Sequence, residues 1–224
     1  MSPTLPLPPP RLRARVSGID DTDLFLRVGK NSIDDMRRSL GEISRSFGSF
    51  GRILDIGCGC GRTIRWFDPP VAELYGCDID EEAILWCQDN LSFARFLRNA
   101  MRPPLPYQDG QFDLVYSISI FTHLREDYQR LWFAECARII APGGIFLFTI
   151  NDRGSWPPDS VDEIRANGIK FFPPGDNEFW PDWYGTAYLD LDKLGNFMGQ
   201  NFEFRYHAAK GLNGHQDIVI ARRL

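Results

Sequence analysis

Residues 52–62, RILDIGCGCGR, decide the fold of this chain. The first five residues are mostly apolar and predict a short strand, and glycines follow at Gly57, Gly59 and Gly61. A glycine-rich bend directly after a strand lets the backbone turn sharply and pass close to a ligand, because no Cβ blocks the approach. The stretch therefore predicts a strand, a ligand-binding bend and a helix over Thr63–Phe67.

Downstream of this bend, apolar runs alternate with segments of helical periodicity. The predicted strands are 74–77, 93–97, 112–117 and 145–150, and the predicted helices are 81–91, capped by Asp80, and 127–140, before a turn at Pro142-Gly143-Gly144. This alternation predicts an α/β fold with a doubly wound, mostly parallel sheet and helices on both faces. Strands at 202–206 and 218–221, joined by a Gly-rich loop, predict a hairpin at the sheet edge.

Three segments flank or interrupt this core. Residues 1–10 are rich in proline and predict a disordered tail, and residues 11–49 predict a helical cap. Within that cap, apolar residues recur at helical spacing after Ser32, which we interpret as the N-cap. The domain proper spans 50–224, and its residues 151–190 form an aromatic-rich insertion. The insertion is interpreted either as a loop pinned by aromatic anchors or as a lid over the substrate pocket.

Composition narrows the function of the 224-residue chain. A formal net charge of -5 offers no basic field for a phosphate backbone, so no nucleic-acid partner is expected. No apolar run approaches the ~20 residues that cross a bilayer, so no membrane partner is expected. The five cysteines are an odd number and no secretory signal precedes them, which favours a cytoplasmic location. No second pair of metal ligands accompanies Cys58 and Cys60, so we predict no metal.

An acidic residue strengthens the interpretation of the bend. Asp78 ends the second strand 21 positions after Gly57, where a carboxylate would meet ribose hydroxyls. A nicotinamide-binding pattern would place its third glycine at position 62, where this chain has Arg62. The pattern therefore favours a nucleoside ligand without a pyrophosphate, with helix capping as the alternative role of Asp78.

Five motifs, in order, resemble those of the class I S-adenosylmethionine-dependent methyltransferases. They are ILDIGCGCGR at 53–62, YGCD at 75–78, PLPYQDGQFDLVYS at 104–117, FTHL at 121–124 and APGG at 141–144. The resemblance implies a Rossmann-like, seven-stranded sheet with a reversed last strand. It also implies S-adenosyl-L-methionine as cofactor and S-adenosyl-L-homocysteine as product.

The resemblance further implies the residues that hold this cofactor. Those expected around its methionine portion are Asp55, Gly57, Cys58, Gly59 and Gly61. Asp78 is expected to hold the ribose, Ile79 to pack on the adenine, and Asn99 and Ala100 to face the adenine edge. Ser117, Ile118 and Ser119 are expected to border the methionine amine and the transferred methyl group, although the two serines could equally serve only to end the strand.

Topology places the candidate catalytic residues. Ligands of open α/β sheets bind beyond the carboxyl ends of the parallel strands, and a reversed last strand begins at that same face. His123, His215 and Asp152 are therefore the candidates, because histidine removes protons well near neutral pH. Asp217 or Asp152 could orient His215, and His123 could instead cap a helix.

The acceptor is expected to be a small molecule. The chain lacks both the Asp/Asn-Pro-Pro-aromatic motif of enzymes that methylate flipped bases and the carboxylate of magnesium-dependent relatives after the fourth strand. A weaker resemblance to bacterial sugar and secondary-metabolite methyltransferases favours a hydroxyl of a saccharide or natural product, methylated in biosynthesis by a monomer or homodimer. The alternatives are N- or C-methylation of a small metabolite, a nicotinamide-dependent oxidoreductase, or a non-catalytic binding subunit.

Overall fold

The computed structural model describes residues 5–67, 72–175 and 184–224. Two helices precede the sheet, α1 (Pro10–Ser17) and α2 (Thr22–Glu42). The N-cap of α2 is Asp21, whose side chain accepts a hydrogen bond from the Leu24 N–H at 2.9 Å. The prediction that Ser32 starts this helix was wrong. Ser32 is buried in its interior and its hydroxyl donates to the Val28 carbonyl, so it has no role as a cap.

Residues 1–10 were predicted to be a disordered tail, but the part of it that the structure describes contacts the rest of the domain. Helix α1 already begins at Pro10, since proline is well tolerated in the first helical turn. The guanidinium of Arg65 donates to the carbonyls of Leu5 and Pro6, at 3.1 and 2.6 Å. Proline lacks a backbone donor but keeps its carbonyl, and here carbonyls of the tail hold it to the domain.

The main sheet has seven strands in the order β3-β2-β1-β4-β5-β9-β8. Their bounds are β1 (Arg52–Ile56), β2 (Glu73–Asp78), β3 (Ala94–Arg98), β4 (Phe112–Ser117), β5 (Ile140–Asn151), β8 (Phe202–Leu212) and β9 (Gln216–Arg223). The first five are parallel, and β9 lies antiparallel between β5 and β8. This arrangement confirms the predicted α/β fold with its reversed last strand.

Helices cover both faces of this sheet. They are α2, α3 (Glu81–Asn90), α4 (Glu126–Ile139), α5 (Val161–Asn167) and the one-turn α6 (Gly195–Met198). Instead of the helix predicted over Thr63–Phe67, the chain forms a single 3₁₀ turn at Ile64–Trp66. The predicted turn at Pro142–Gly144 lies within β5, where the pairing with β4 skips from Ile140 to Ile145. No helix within the described ranges is long and apolar enough to cross a membrane.

The aromatic-rich insertion has its own secondary structure. After α5, strands β6 (Ile169–Phe172) and β7 (Thr186–Leu189) pair as a separate antiparallel ribbon. Ile169, Ala187 and Leu189 of this ribbon pack into the same hydrophobic cluster as the interior of the main sheet. Phe179, Trp180 and Trp183, which belong to the predicted aromatic set, lie outside the described residues.

Candidate active site

The bend after β1 needs its glycines. Gly57, Gly59 and Gly61 all have positive φ, at 80°, 51° and 77°. A Cβ on Gly57 would lie 2.3 Å from the Ile120 side chain, and one on Gly59 would lie 2.5 Å from that of Val16. Side chains at these positions would therefore be strained and would also collide with the walls of the bend.

Asp78 joins this bend to the end of β2. One carboxylate oxygen accepts from the Gly59 N–H at 2.7 Å, and the other accepts from the Asp80 N–H at 2.8 Å. Asp80 caps α3 by accepting from the Ala83 N–H, so the capping role that was an alternative for Asp78 belongs to its neighbour. Burial raises the pKa of Asp78. Each of its oxygens retains a lone pair that can accept from a ligand hydroxyl.

A cavity of about 660 Å³ opens in front of the bend. This volume falls within the ~300–1,000 Å³ typical of small-molecule sites. We name its parts by the elements that supply them. The floor, or near end, is the set that ends or follows β1 and β2, namely Gly57, Gly59, Asp78 and Ile79. The far end is the set that follows β4, leads into or begins β9, or belongs to the insertion, namely Ser119, His123, Tyr184, His215 and Gln216, and the upper wall is Arg15 and Val16 of α1 with Arg62. The floor lies at the carboxyl ends of parallel strands, where the topology predicts a ligand.

His123 is fixed at the far end of the cavity. Its Nδ1 lies 2.7 Å from the Gly185 carbonyl oxygen, which can only accept, so Nδ1 carries the proton. The neutral ring then offers Nε2 as a proton acceptor. Its ring stacks on Tyr184 with centroids 4.4 Å apart, and burial lowers the pKa of His123. The helix-capping alternative does not apply, since the N-cap of α4 is Arg125.

Ser119 and Gln216 form a polar pair that lines the same cavity as His123. The Ser119 hydroxyl donates to the Gln216 side-chain oxygen at 3.0 Å, and the Ser119 N–H donates to the Thr149 hydroxyl at 2.8 Å. Ser119 has φ 59°, which is uncommon for a residue other than glycine, Asn or Asp. Such a backbone occurs preferentially at functional sites. The amide nitrogen of Gln216 is left for other partners, because its oxygen is already used.

The predicted site residues divide into those that line the cavity and those that do not. Those that line the cavity are Gly57, Gly59, Asp78, Ile79, Ile118, Ser119, His123 and His215. Those that do not are Asp55, Cys58, Gly61, Asn99, Ala100, Ser117 and Asp152. A position close to the bend in sequence is thus not enough to place a side chain in the cavity, because successive residues of a strand point to opposite faces of the sheet.

Buried members of the second set have partners inside the protein. The Tyr116 hydroxyl donates to a carboxylate oxygen of Asp55 at 2.9 Å, and burial raises the pKa of Asp55 to about 8. The hydroxyl of Ser117 donates to the Ile56 carbonyl, an internal contact of the sheet. Cys58 is buried with its thiol against the Gly59 carbonyl. A Cβ on Gly61 would meet Leu91, on the side of α3.

The remaining members of that set are held by polar contacts at the ends of strands. The Asn99 side-chain nitrogen donates to the carbonyl of Ala100 at 2.7 Å, and its side-chain oxygen has no hydrogen-bond partner among the described residues. Asp152 lies 3.7 Å from the Lys210 ammonium. Asp152 does not line the cavity and its described charge partner is this lysine, so the structure does not place it beside His123, and its part in catalysis stays a prediction.

The predicted orienting carboxylate of His215 also has another partner. Asp217 accepts from the His207 ring at 2.7 Å and from the Lys210 N–H at 2.8 Å. His215 instead has its Nδ1 3.2 Å from the Asn213 carbonyl oxygen and is exposed. Asp217 therefore cannot orient His215. Nothing in the described residues gives His215 the fixed ring of His123.

Several cavity residues were not identified from the sequence. Arg15 and Val16 come from α1, Arg62 follows the glycine run, and Tyr184 and Gln216 come from distant segments. Gln216 follows the loop that joins the last two strands, and a reversed last strand begins at the face where ligands bind. Its location could therefore be predicted from the sequence, but its role could not. Arg15 and Val16 reach the site only through tertiary packing, which local periodicity does not encode. Among the described residues, no cluster of three His, Cys, Asp or Glu side chains could hold a metal.

Sequence comparisons agree with this geometry. A family profile described as a methyltransferase domain matches residues 54–148. The chain is 26% identical over 182 residues to a sarcosine/dimethylglycine N-methyltransferase of Halorhodospira halochloris, covering 77% of this chain and 60% of that protein. It is 32% identical over 143 residues to a malonyl-[acyl-carrier protein] O-methyltransferase of Geobacter sulfurreducens, covering 62% and 52%. The chain thus spans less than two thirds of the length of these relatives.

Solved structures share the fold. A 1,6-didemethyltoxoflavin-N1-methyltransferase of Burkholderia thailandensis superposes with a TM-score of 0.62 at 16% identity, covering 97% of this chain and 92% of that one. An S-adenosylmethionine-dependent methyltransferase of Mesorhizobium loti gives a TM-score of 0.59 at 18% identity, covering 84% and 98%.

Strand order, glycine bend and strand-end carboxylate together define a nucleoside-binding α/β domain. Residues 54–148 match a methyltransferase-domain family, and the described chain has the fold of class I S-adenosylmethionine-dependent methyltransferases, which use S-adenosylmethionine as cofactor. The residues present fit that cofactor, because Gly57 and Gly59 leave a wall without side chains and Asp78 offers acceptors for ribose hydroxyls.

Proposed function

We propose that this protein transfers a methyl group from S-adenosylmethionine to a hydroxyl of a small molecule, such as a saccharide or a natural product. The observation that carries the proposal is the continuity of one cavity. It runs from Asp78 and Gly59, which fit the cofactor, to His123, which fits a proton acceptor. Methyl transfer requires the methyl donor and the nucleophile to meet in one space from which water is excluded. This cavity is lined both by residues that would hold the donor and by a residue that would activate the nucleophile.

The cofactor-binding roles follow from the contacts at the near end. Asp78 would hold the ribose hydroxyls, and Ile79, which is partly exposed toward the cavity, would pack on the adenine. The bend at Gly57 and Gly59 would lie along the methionine portion. When bound, the cofactor supplies a methyl group already activated on a sulfonium sulfur.

His123 is our candidate general base. Its Nδ1–H is committed to the Gly185 carbonyl, so its orientation and tautomer are set before any acceptor binds. Burial lowers the pKa of His123, which keeps the ring neutral and able to accept a proton near pH 7. His215 remains a second candidate as a ligand of the acceptor, since it lines the same cavity.

The far end of the cavity suits an acceptor that is part apolar and part polar. Ile120 and Leu212 supply apolar wall, and the stacked rings of His123 and Tyr184 supply a flat one. Gln216 can donate a hydrogen bond with its amide. A sugar ring or a small planar natural product with oxygen substituents would match these groups.

N-methylation is the second candidate function. A sarcosine/dimethylglycine N-methyltransferase and a toxoflavin-type N1-methyltransferase are among the similar proteins, whereas the malonyl-[acyl-carrier protein] relative is an O-methyltransferase. A neutral amine attacks without a base, so removal of the His123 ring would barely slow its methylation. A hydroxyl needs its proton removed.

The test is a methyl-transfer assay on matched acceptors. The protein is incubated with S-adenosylmethionine carrying a labelled methyl group and with a panel of hydroxyl compounds and their amine analogues. We expect label in the hydroxyl compounds and a loss of about 100-fold or more in kcat for His123→Asn, since general-base catalysis contributes about 10²–10⁴-fold. His215→Asn is the matched control, which should change KM more than kcat.

Other results would reject this function. Label confined to amines, with His123→Asn unaffected, would favour N-methylation. Enhanced NADH fluorescence without S-adenosylhomocysteine binding would favour a nicotinamide-dependent oxidoreductase. Absence of both ligands, with a copurifying protein, would favour a non-catalytic subunit.

We also propose that the enzyme acts in the cytoplasm, in a biosynthetic pathway, as a monomer or homodimer. All five cysteines are buried free thiols, which suits a reducing compartment. Gel filtration of the purified protein measures the oligomeric state.

A further inference from the structure

Gln216 carries an amide nitrogen that no described residue uses. Its side chain lines the far end of the cavity and the residue is only 8% exposed. The side-chain oxygen accepts from the Ser119 hydroxyl at 3.0 Å, whereas the nitrogen makes no hydrogen bond within the described part of the chain. An amide nitrogen has two N–H donors, so both remain for a ligand in the cavity.

Contacts at both ends hold this amide in one orientation. The backbone of Gln216 pairs with Asn151 of β5 and with Leu212 of β8. At the other end, Ser119 is itself fixed, because its N–H donates to the Thr149 hydroxyl at 2.8 Å. An amide group is planar, with its oxygen and nitrogen on opposite sides of the terminal carbon. The nitrogen of Gln216 therefore points away from Ser119.

The segment that holds Gln216 also supplies the proposed general base. The His123 N–H donates to the Ile120 carbonyl at 2.9 Å, so a tight turn connects Ser119 to His123. Both His123 and Gln216 line the cavity. Its far end therefore offers a proton acceptor, the Nε2 of His123, and a neutral donor, the amide of Gln216. A molecule complementary to both groups has a hydroxyl and a second oxygen that accepts hydrogen bonds.

We propose that Gln216 selects acceptors that carry a carbonyl oxygen besides the hydroxyl that is methylated, as hydroxy ketones and sugar lactones do. This inference rests on the proposed function. A carbonyl oxygen only accepts, which matches a group that only donates. A compound without this oxygen would displace water from the amide and leave its N–H groups unpaired, and sites of this kind discriminate against such analogues. Gln216 is then a specificity-determining residue, and Ser119 a positioning residue that acts through it.

The test uses two pairs of hydroxyl compounds, each differing only by a carbonyl in place of a methylene. They are 3′-hydroxyacetophenone with 3-ethylphenol, and D-ribono-1,4-lactone with 1,4-anhydro-D-ribitol. KM and kcat are measured for each with S-adenosylmethionine that carries a labelled methyl group. In wild type, we expect the carbonyl compound of a labelled pair to have a KM about 10-fold lower than its partner, the effect of one hydrogen bond.

Two variants remove the amide donor. Gln216→Leu should raise the KM of the carbonyl compound to that of its partner, while S-adenosylhomocysteine binds as in wild type. Gln216→Glu keeps an oxygen for the Ser119 hydroxyl and nearly the same shape, so it retains the internal contact but has no amide N–H. It should also remove the preference, which keeps the test decisive if the leucine variant does not fold.

Variants around Ser119 separate positioning from packing. Ser119→Ala frees the oxygen of Gln216, so part of the preference for the carbonyl compound should disappear. Thr149→Val is the matched control, because it removes the partner of the Ser119 N–H and leaves the contact between Ser119 and Gln216 in place. A merely structural effect changes KM for both members of a pair alike. Only a change in the amide donor changes their ratio.

The outcomes separate this inference from the proposed function. If wild type binds S-adenosylhomocysteine but labels none of the four compounds, the proposed function fails and the inference fails with it. If wild type labels both members of a pair with the same KM, or if both Gln216 variants keep the preference, Gln216 does not recognise a carbonyl. The inference is then overturned while the proposed function stands.

Discussion

Two carboxylates near the bend show how position alone separates structural from functional residues. Asp55 and Asp78 lie on neighbouring strands, β1 and β2, and burial raises the pKa of both. Asp55 faces the core and accepts from Tyr116, whereas Asp78 faces the cavity and accepts from the bend. Asp55 should therefore matter for stability, and Asp78 for ligand binding.

We expect Asp55→Asn to change how stability depends on pH. Asp55 titrates near 3.8 when unfolded and about 8 when folded, so folding takes up a proton between these values. Its contribution to stability is complete below pH 3.8 and is lost as pH rises through about 8. The stability of Asp55→Asn relative to wild type should thus rise from pH 5 to 8, by at most about 1.4 kcal/mol per unit, in urea unfolding.

Asp34→Asn is the control for this change. Asp34 pairs with Lys30 and Arg37 on the surface, and its lowered pKa lies below this pH range. Its stability difference from wild type should stay flat from pH 5 to 8. A flat difference for Asp55→Asn as well would mean that Asp55 is ionised in the folded protein.

We expect Gly59→Val to abolish S-adenosylhomocysteine binding while the fold is retained. The new side chain would meet Val16 and fill the wall along which the methionine portion would lie. Calorimetry measures the affinity and circular dichroism the fold. Gly18→Ala is the control, because Gly18 has φ 78° with open space around its Cβ position, so it adds strain without a collision. Normal binding by Gly59→Val would place the cofactor elsewhere.

Sequence patterns identified the site residues whose position is set by local backbone structure. Gly59 and Asp78 were predicted because a strand, a bend and the end of the next strand are local features. Asp217 was assigned to the wrong histidine, because its pairing with His207 depends on the irregular register between β8 and β9. Such pairings come from tertiary geometry, which residue spacing does not reveal.

Helix α1 closes the site from above. Val16 lies against Gly59, the Val16 carbonyl accepts from Arg62, and Arg15 pairs with the acidic start of α3. Its single buried leucine, Leu12, packs with Phe25 and Cys60. Leu12 is the one buried residue of this eight-residue helix, so its side chain supplies the apolar part of the docking. Helical periodicity predicts a cap over residues 11–49, but it does not reveal that this cap lines the cavity.

We expect Leu12→Ala to loosen α1 and weaken S-adenosylhomocysteine binding. Removing a fully buried leucine costs about 2–5 kcal/mol, here mostly from the docking of one helix. Hydrogen exchange of the α1 amides should accelerate, with the sheet amides nearly unchanged, and calorimetry should show a higher Kd. Leu85→Ala is the matched control, since Leu85 is 55% exposed on α3. Slow exchange in Leu12→Ala would show that α1 is held by its ion pairs.

At the scale of the whole molecule, the sheet order explains why the site lies where it does. Strands β1 and β2 carry the near end of the cavity, β4 leads into Ser119 and His123, and β9 begins with Gln216. Alternating strand and helix patterns predicted this sheet, because each element shows its own periodicity. They could not predict the insertion's Tyr184, which reaches His123 only after the chain has folded.

The same topology makes cofactor binding a property of the folded molecule, which thermal unfolding can measure. Residues from β1, β2 and the segment after β4 converge only in the native state, so a cofactor product should bind that state alone. At 100-fold excess over Kd, S-adenosylhomocysteine should stabilise the protein by about 2.7 kcal/mol. For a chain of 224 residues, this raises Tm by about 5–10 °C. NADH should leave Tm unchanged, and Gly59→Val should remove the shift. A shift with NADH instead would mean that the bend accepts a dinucleotide.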